Sequence, residues 1–274
     1  MRTVLVTGAS SGIGEACALR LSRAGWHVFA GVRQREDADR LAGERVEPVL
    51  LDVTDGDSIA AAAERLGERG LAGLVNNAGI AVAAPLEFMP PDQLRTQLEV
   101  NVIGQVAVTR AFLPHLRRAC GRIVNVGSIA GRSALPFLAP YAASKHALEA
   151  VTDALRVELR PFGIEVAIVE PGSIATPIWR KGAENYQRIA AGLPEAMTEL
   201  YGPRLAAFRE AAAAAGRSGE PPDEVAKVVE HALTARRPKT RYVVGRDARR
   251  RLLVERLPDR LRDRVYERLL LRGG

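Results

Sequence analysis

Cysteine and histidine are scarce in this chain of 274 residues, which has two of the first and four of the second. Cys17 and Cys120 lie far apart with no pairing pattern, so they offer no disulfide framework and suit a reducing compartment. Both are expected to be small buried hydrophobes. His27, His115, His146 and His231 are scattered without metal-ligand spacing, and no metal site is expected. No apolar run approaches a membrane span, and no Gly/Ser-rich or Pro-rich linker divides the chain. The opening Met-Arg-Thr-Val-Leu-Val-Thr-Gly reads as a strand entering a turn and leaves no room for a signal peptide. A cytoplasmic protein is the expectation.

What is present is material for a sizeable core. Hydrophobic residues make up 47% of the chain and charged residues 26%, which argues for one folded α/β domain rather than a disordered chain. The formal charge of +7 is local. Between Arg246 and Arg272, ten arginines face five acids, a surplus that leaves the rest of the chain nearly balanced. No motif for reading nucleic acid accompanies it, so nucleic acid is not an expected partner.

Three segments carry chemistry. Thr3 to Thr7 reads as a strand, and Gly8-Ala-Ser10-Ser11-Gly12-Ile13-Gly14 opens the following helix, where glycines admit a pyrophosphate to free amides and the helix dipole. Ile123-Val-Asn-Val-Gly-Ser128 reads as a buried strand with Ser128 just past its carboxyl end, where open α/β sheets bind ligands. Tyr141 and Lys145 are one helical turn apart, about 40° around the axis. An ammonium beside a phenol favours the phenolate, so Lys145 is expected to lower the Tyr141 pKa. A Ser128 hydroxyl would orient a substrate oxygen and stabilise its developing charge. The strand His27 to Val32 ends in Gly31-Val32-Arg33-Gln34-Arg35, without the acid that binds the 2′-hydroxyl of NAD. Arg33 suits the 2′-phosphate of NADP, so NADP(H) is favoured over NAD(H).

Ser128, Tyr141 and Lys145, with the glycine loop and Asn76-Asn77-Ala78-Gly79, resemble the short-chain dehydrogenase/reductase family in its single-domain branch. The likeness is strong from Arg2 to about Gly172 and looser to Gly245. It implies one doubly wound Rossmann-type domain, a mostly parallel sheet with helices on both faces, spanning 1–245. It implies a catalytic set of Asn101, Ser128, Tyr141 and Lys145, in which Asn101 sits at a kink in a helix running from Pro90 toward Arg118 and keeps a water linked to Lys145. It implies a cofactor site of Gly8, Ser10, Ser11, Gly12, Ile13, Gly14, Arg33, Asp52, Val53, Asn77, Ala78, Gly79, Tyr141, Lys145, Pro171, Gly172, Ile174 and Thr176. Asp52 would meet the adenine amino group, with a plain turn as the alternative. A homodimer or homotetramer is implied, assembled through the long helix of Asn101 and the helix of Tyr141.

Residues 177–222 fit no motif and are expected to form a substrate lid of two short amphipathic helices joined at Gly192-Leu-Pro194. Ser128, Leu135, Tyr141, Ile178 and Trp179 are expected to contact substrate in an apolar pocket. Residues 246–274 form a basic helical extension whose Leu253, Leu257, Leu261, Val265 and Leu269 recur every four residues. Docking on its own domain or on a second subunit is preferred to contact with a membrane surface.

The activity expected is hydride transfer between NADP(H) and a secondary alcohol or ketone. The Val28-to-Arg33 strand, the Glu170-Pro-Gly172 loop and the lid are similar to the steroid and retinol dehydrogenase side of the family, which implies a bulky apolar substrate. The alternatives are a reductase of keto intermediates in acyl or polyketide metabolism, a non-catalytic NADP(H)-binding redox sensor, and an interaction protein working through its basic tail.

Overall fold

The computed structural model describes residues 2–270. Short β-branched runs alternate with helical segments along the chain, and the strands that result are β1 Thr3–Val6, β2 His27–Val32, β3 Val46–Leu50, β4 Gly73–Asn76, β5 Arg122–Val126, β6 Glu165–Pro171 and β7 Arg241–Val244. All seven pair in parallel, in the order β3-β2-β1-β4-β5-β6-β7. The order reverses between β1 and β4, and a doubly wound sheet opens its ligand crevice at that switch point.

The helices are α1 Gly12–Arg23, α2 Arg35–Leu41, α3 Gly56–Leu66, α4 Pro91–Leu98, α5 Gly104–Ala119, α6 Ala139–Glu158, α7 Ile178–Ala190, α8 Glu195–Ser218, α9 Pro222–Thr234, α10 Arg246–Val254 and α11 Asp259–Leu270. Alternate strand residues face opposite sides of the sheet. Val4 and Val6 join Cys17, Leu21, Val225 and Val229 of α1 and α9 in one core. Leu5 joins Phe29, Leu74, Val108 and Phe112 in the other, beneath α3 and α5. A parallel sheet buried on both faces needs the near-continuous apolar strands this chain supplies.

The parallel sheet with helices on both faces is as expected, and every strand pairing in it is parallel. Other expectations need correction. α2 forms over a stretch with no helical expectation. Cys120 is exposed, not buried; it ends α5 in the left-handed region with φ 45°, so the chain turns there toward β5 and its side chain faces out. Cys17 is buried, and burial pushes its thiol up to about 12. The second lid helix, α8, runs for 24 residues, because the Ala211–Ala215 run carries good helix formers straight through what was expected to be a short helix.

In the extension, most of the apolar stripe stands clear of the body of its own chain, Val265 alone being half-buried. Leu253 is 61% exposed and Leu269 69% exposed, with Leu257 and Leu261 also exposed. The docked face instead carries Ala248 and Tyr266, both buried.

A line of polar side chains crosses the centre of the sheet. Asn76 and Asn125 stand opposite each other in the β4–β5 register. The Asn76 amide donates to Thr109 Oγ1 and to Asn125 Oδ1, both at 2.9 Å, and Asn125 donates to Thr152 Oγ1 at 2.8 Å. All four residues are buried. Removing one member strands the others, and a buried unpaired polar group costs about 1–3 kcal/mol. Asn125→Ala is therefore expected to destabilise the fold by about 2–3 kcal/mol, read by denaturant unfolding; a loss below about 0.5 kcal/mol would show the network to be dispensable.

Candidate active site

The glycine loop between β1 and α1 is shaped from beneath. Gly8 and Gly12 have φ of 63° and 61°, a conformation that favours glycine. A side chain on Gly14 would begin 2.2 Å from the Gly8 carbonyl oxygen, so none fits. Asn77 fastens the loop to the end of β4: its amide donates to the Thr7 and Gly8 carbonyls at 2.9 and 3.1 Å. The Thr7 hydroxyl in turn accepts from the backbone N–H of Asn77 and Ala78.

One cleft of about 460 Å³ opens above this loop. Ser11, Gly12, Ile13, Arg33, Asn77, Gly79, Tyr141, Lys145, Thr176 and Ile178 all line it, and Thr176 packs directly over Gly12. Backbone amides freed of side chains, a guanidinium at the end of β2 and a phenol–ammonium pair in the same cleft fit a dinucleotide.

Tyr141 and Lys145 project from α6 toward the cleft as their spacing requires. The Lys145 side chain is buried at 4% exposure, and its ammonium donates to the Val126 carbonyl at 2.9 Å. Burial lowers its pKa to about 8, with Glu149 opposing. The expectation that Lys145 lowers the Tyr141 pKa needs correction: Tyr141 is raised above its ordinary value. Burial of the phenol is the larger effect, and hydrogen bonding to Ser128 and the charge of Arg251 draw the pKa only part of the way back. The ammonium faces the Val126 carbonyl and stands 5.9 Å from the centre of the Tyr141 ring. Ser128 begins a single 3₁₀ turn, Ile129–Gly131, and its hydroxyl accepts from the Ala130 N–H at 3.1 Å.

Behind Lys145 lies a carboxylate pair. Glu170, fully buried, and Glu149 both approach Arg241, at 3.5 and 3.0 Å. Burial and the charge of Glu170 raise Glu149 to about 7.

Asn101 lies in a π-helical segment, Glu99–Ile103, that joins α4 to α5. Such widened turns recur at functional sites. Its Oδ1 accepts from the Ile80 N–H at 2.9 Å, and its amide donates to the Ile80 carbonyl and to Ser144 Oγ at 3.0 and 3.1 Å. Two neighbours missed in the sequence do the same work. Gln97 holds the Val82 N–H and the Ile80 carbonyl, and Gln105 donates to the Ala78 carbonyl. The signal was there to read: three amides four residues apart on one face of an apolar helix need a common polar partner.

Other expected residues fall elsewhere. Asp52 turns its carboxylate to the Thr54 N–H and hydroxyl at 2.9 and 2.8 Å, which is the turn alternative. Val53 is buried, with its carbonyl against Gly104. Ser10 gives its carbonyl to Arg40. Pro171 ends β6, Gly172 abuts Asp247, and Ile174 is in the core.

The substrate contacts also change. Trp179 is a strut: its indole N–H donates to the Ile174 carbonyl at 2.7 Å and its ring meets Gly216 of α8. Leu135 lies outside the cleft lining, half-buried in the turn that leads to Leu138. The lid spends its apolar residues on packing, since Tyr186, Leu193, Met197 and Phe208 cluster with Phe137 and Leu138. It turns Lys181, Glu184, Asn185 and Arg188 to the cleft beside Pro177 and Ile178, so the lid wall is mixed where a wholly apolar one was expected. Phe137, at φ 64°, is a strained anchor under that lid.

Comparison with known proteins agrees with this geometry. Residues 2–187 match the family model for short chain dehydrogenase. The NADPH-dependent 3-dehydrocapnine reductase of Ornithobacterium rhinotracheale is 36% identical, over 97% of this chain and 96% of its own. Retinol dehydrogenase 5 of Mus musculus is 38% identical, over 98% and 89%. A short chain dehydrogenase of Burkholderia cenocepacia J2315, solved in complex with NADP, superposes with a TM-score of 0.75 at 30% identity, over 98% and 99%. By its Rossmann-type sheet and these relatives, the chain belongs to the short-chain dehydrogenase/reductase family and is a nicotinamide-dependent oxidoreductase acting on CH–OH groups.

Proposed function

We propose that the enzyme interconverts a secondary alcohol and its ketone on a bulky substrate, with Tyr141 as the group that moves the proton. The observation that carries the reading is that Arg33, Gly12, Tyr141 and Lys145 line one continuous cleft. NADP(H), when bound there, supplies or takes up hydride at the substrate carbon. Tyr141 donates its proton to the carbonyl oxygen during reduction and takes it back during oxidation. Ser128, which draws the phenol's pKa down, orients that oxygen. Lys145, whose ammonium rests on the Val126 carbonyl, would hold the ribose hydroxyls of the bound cofactor. Asn101, seated in the π-helical segment, keeps the water through which the pair exchanges protons with solvent.

NADP(H) over NAD(H) is supported by Arg33 on the rim of the cleft, by the lack of an acid at the end of β2, and by the NADPH-dependent and NADP-bound relatives. The polar face of α7, with Lys181 and Arg188, suits contact with cofactor phosphates. A retinol-like or steroid-like substrate is supported by retinol dehydrogenase 5 and by 17-beta-hydroxysteroid dehydrogenase type 6 of Bos taurus, which is 41% identical over 89% of this chain. Assembly through the long helix and α6 is supported by exposed Ile103 and Val157.

Tyr141→Phe is expected to leave NADPH affinity within about twofold and to lower turnover by about 10²- to 10⁴-fold, the usual contribution of a positioned general acid. Steady-state kinetics with a panel of ketones checks this, and undiminished turnover would remove Tyr141 from its role. Arg33→Ala is expected to weaken NADPH by about 10- to 100-fold, the size of a lost charge-assisted hydrogen bond, and NADH by less than about twofold. Fluorescence titration of both cofactors decides it, and equal losses would refute the phosphate contact.

A further inference from the structure

The helices after β7 are tied to both loops that carry the reacting groups. Gly245 leaves the strand at φ 106° and starts α10. Asp247, in the first turn of α10, accepts from the Ser173 N–H at 2.7 Å, and a side chain on Gly172 would begin 2.2 Å from its carboxylate. This clamps the loop leading from β6 to Ile174 and Thr176. One turn further on, Arg251 reaches the connection between β5 and α6. Its Nη2 donates to the Ser133 carbonyl and hydroxyl at 2.9 and 3.0 Å, and its Nε to the same hydroxyl at 3.3 Å. From α11, Tyr266 meets that hydroxyl at 2.8 Å, and its own O–H donates to Glu255. Ser133 is buried, and the 3₁₀ turn between it and Ser128 is closed by the Ser128 carbonyl and hydroxyl.

We propose that α10 and α11 are part of the active site, and that Arg251 is a positioning residue which fixes the Ser128 loop through Ser133 and, through that loop, sets the field at Tyr141. The inference rests on Tyr141 being the proton donor. Two further observations bear on it. With Lys145 turned to the Val126 carbonyl, the charge that draws the Tyr141 pKa back toward its ordinary value is that of Arg251. Burial lowers the pKa of the guanidinium itself, and Tyr266, Asp247 and Glu255, which favour its charged form, offset that only in part. Ser128 after β5 and Arg251 on α10 lower the pKa of the phenol, the Lys145 ammonium standing 5.9 Å from its ring, and a neutral residue at 251 takes away the charge that does so. The phenolate is then less stable, so the pKa rises.

The test is the pH profile of kcat/KM for alcohol oxidation, where Tyr141 must be deprotonated. Arg251→Gln keeps a hydrogen bond to Ser133 and loses the charge; Arg251→Lys keeps the charge; Arg251→Met is a second neutral variant if the first does not fold. The limb for Tyr141 is expected to move to higher pH by about 0.5 to 1 unit in the neutral variants, the effect of one nearby charge in a partly buried site. In Arg251→Lys it is expected to stay within about 0.2 unit of the wild type. NADPH titration of each variant confirms an intact cofactor site. A limb that stays put in a neutral variant, or equal losses in the lysine and glutamine variants without a shift, would reduce Arg251 to a packing role and overturn the inference. Tyr141→Phe separates the two levels: if that variant is inactive and the limb is unmoved, only the role of Arg251 falls, whereas an active Tyr141→Phe removes the proton-donor reading itself.

Discussion

An ammonium buried almost completely in the interior is the constraint to which the site is built. Taking Lys145 out of water disfavours its charge, and its pKa near 8 records that. The ammonium is tolerable because the Val126 carbonyl, at the end of a central parallel strand, accepts one of its protons, and because Glu149 lies one turn further along the same helix. Glu149 is in turn near Glu170, and like charges in a buried place raise its pKa to about 7. Arg241 bridges the two carboxylates to Asp153. The chain of charges from Lys145 through Glu149 and Glu170 to Arg241 thus runs from the cleft into the junction of α6, β6 and β7. Near neutral pH both Lys145 and Glu149 lie within reach of titration, which is the property a proton-handling site requires.

A second constraint acts on the loop after β4. Residues 78–82 pass the middle of the cleft with no sheet partners of their own, and their backbone groups need satisfaction. Gln97, Asn101 and Gln105 provide it from one helix. The π-helical widening at Glu99–Ile103 falls between the first and last of these amides, so the irregularity and the residues it positions occur together. Asn101 also reaches Ser144, next to Lys145 in sequence, through its amide. The same side chain therefore fixes both the loop and the helix that carries the reactive pair.

Much of this was legible in the residues alone. Strand runs, glycine turns and the four-residue step from Tyr141 to Lys145 are local patterns, and they place the sheet, the glycine loop and a Tyr–Lys pair on one cleft. What escaped depends on contacts distant in sequence. Whether a phenol is raised or lowered turns on burial against the direction in which Lys145 points, and the pattern cannot carry that. Trp179 reads as a pocket aromatic until Gly216, from the far end of the lid, is placed against its ring. Leu253 and Leu269 look like a docking stripe, yet α10 and α11 dock by Ala248 and Tyr266 on another face. Periodicity identifies an apolar face without saying which face the rest of the fold requires.

The division of labour along the chain follows from these contacts. The family match ends at residue 187, within α7, so the chemistry-bearing loops lie inside it and most of the lid and the whole basic extension lie outside. Yet the outer segments are not appendages. Met197, Leu205 and Phe208 of α8 pack on Phe137, which is held at positive φ, and strain of that kind persists only where surroundings enforce it. Asp247 and Arg251 grip the two loops that end β6 and follow β5. The loop after β6 carries Thr176, which lines the cleft, and the loop after β5 carries Ser128, so the extension holds in place two segments that the family-matched part of the chain supplies.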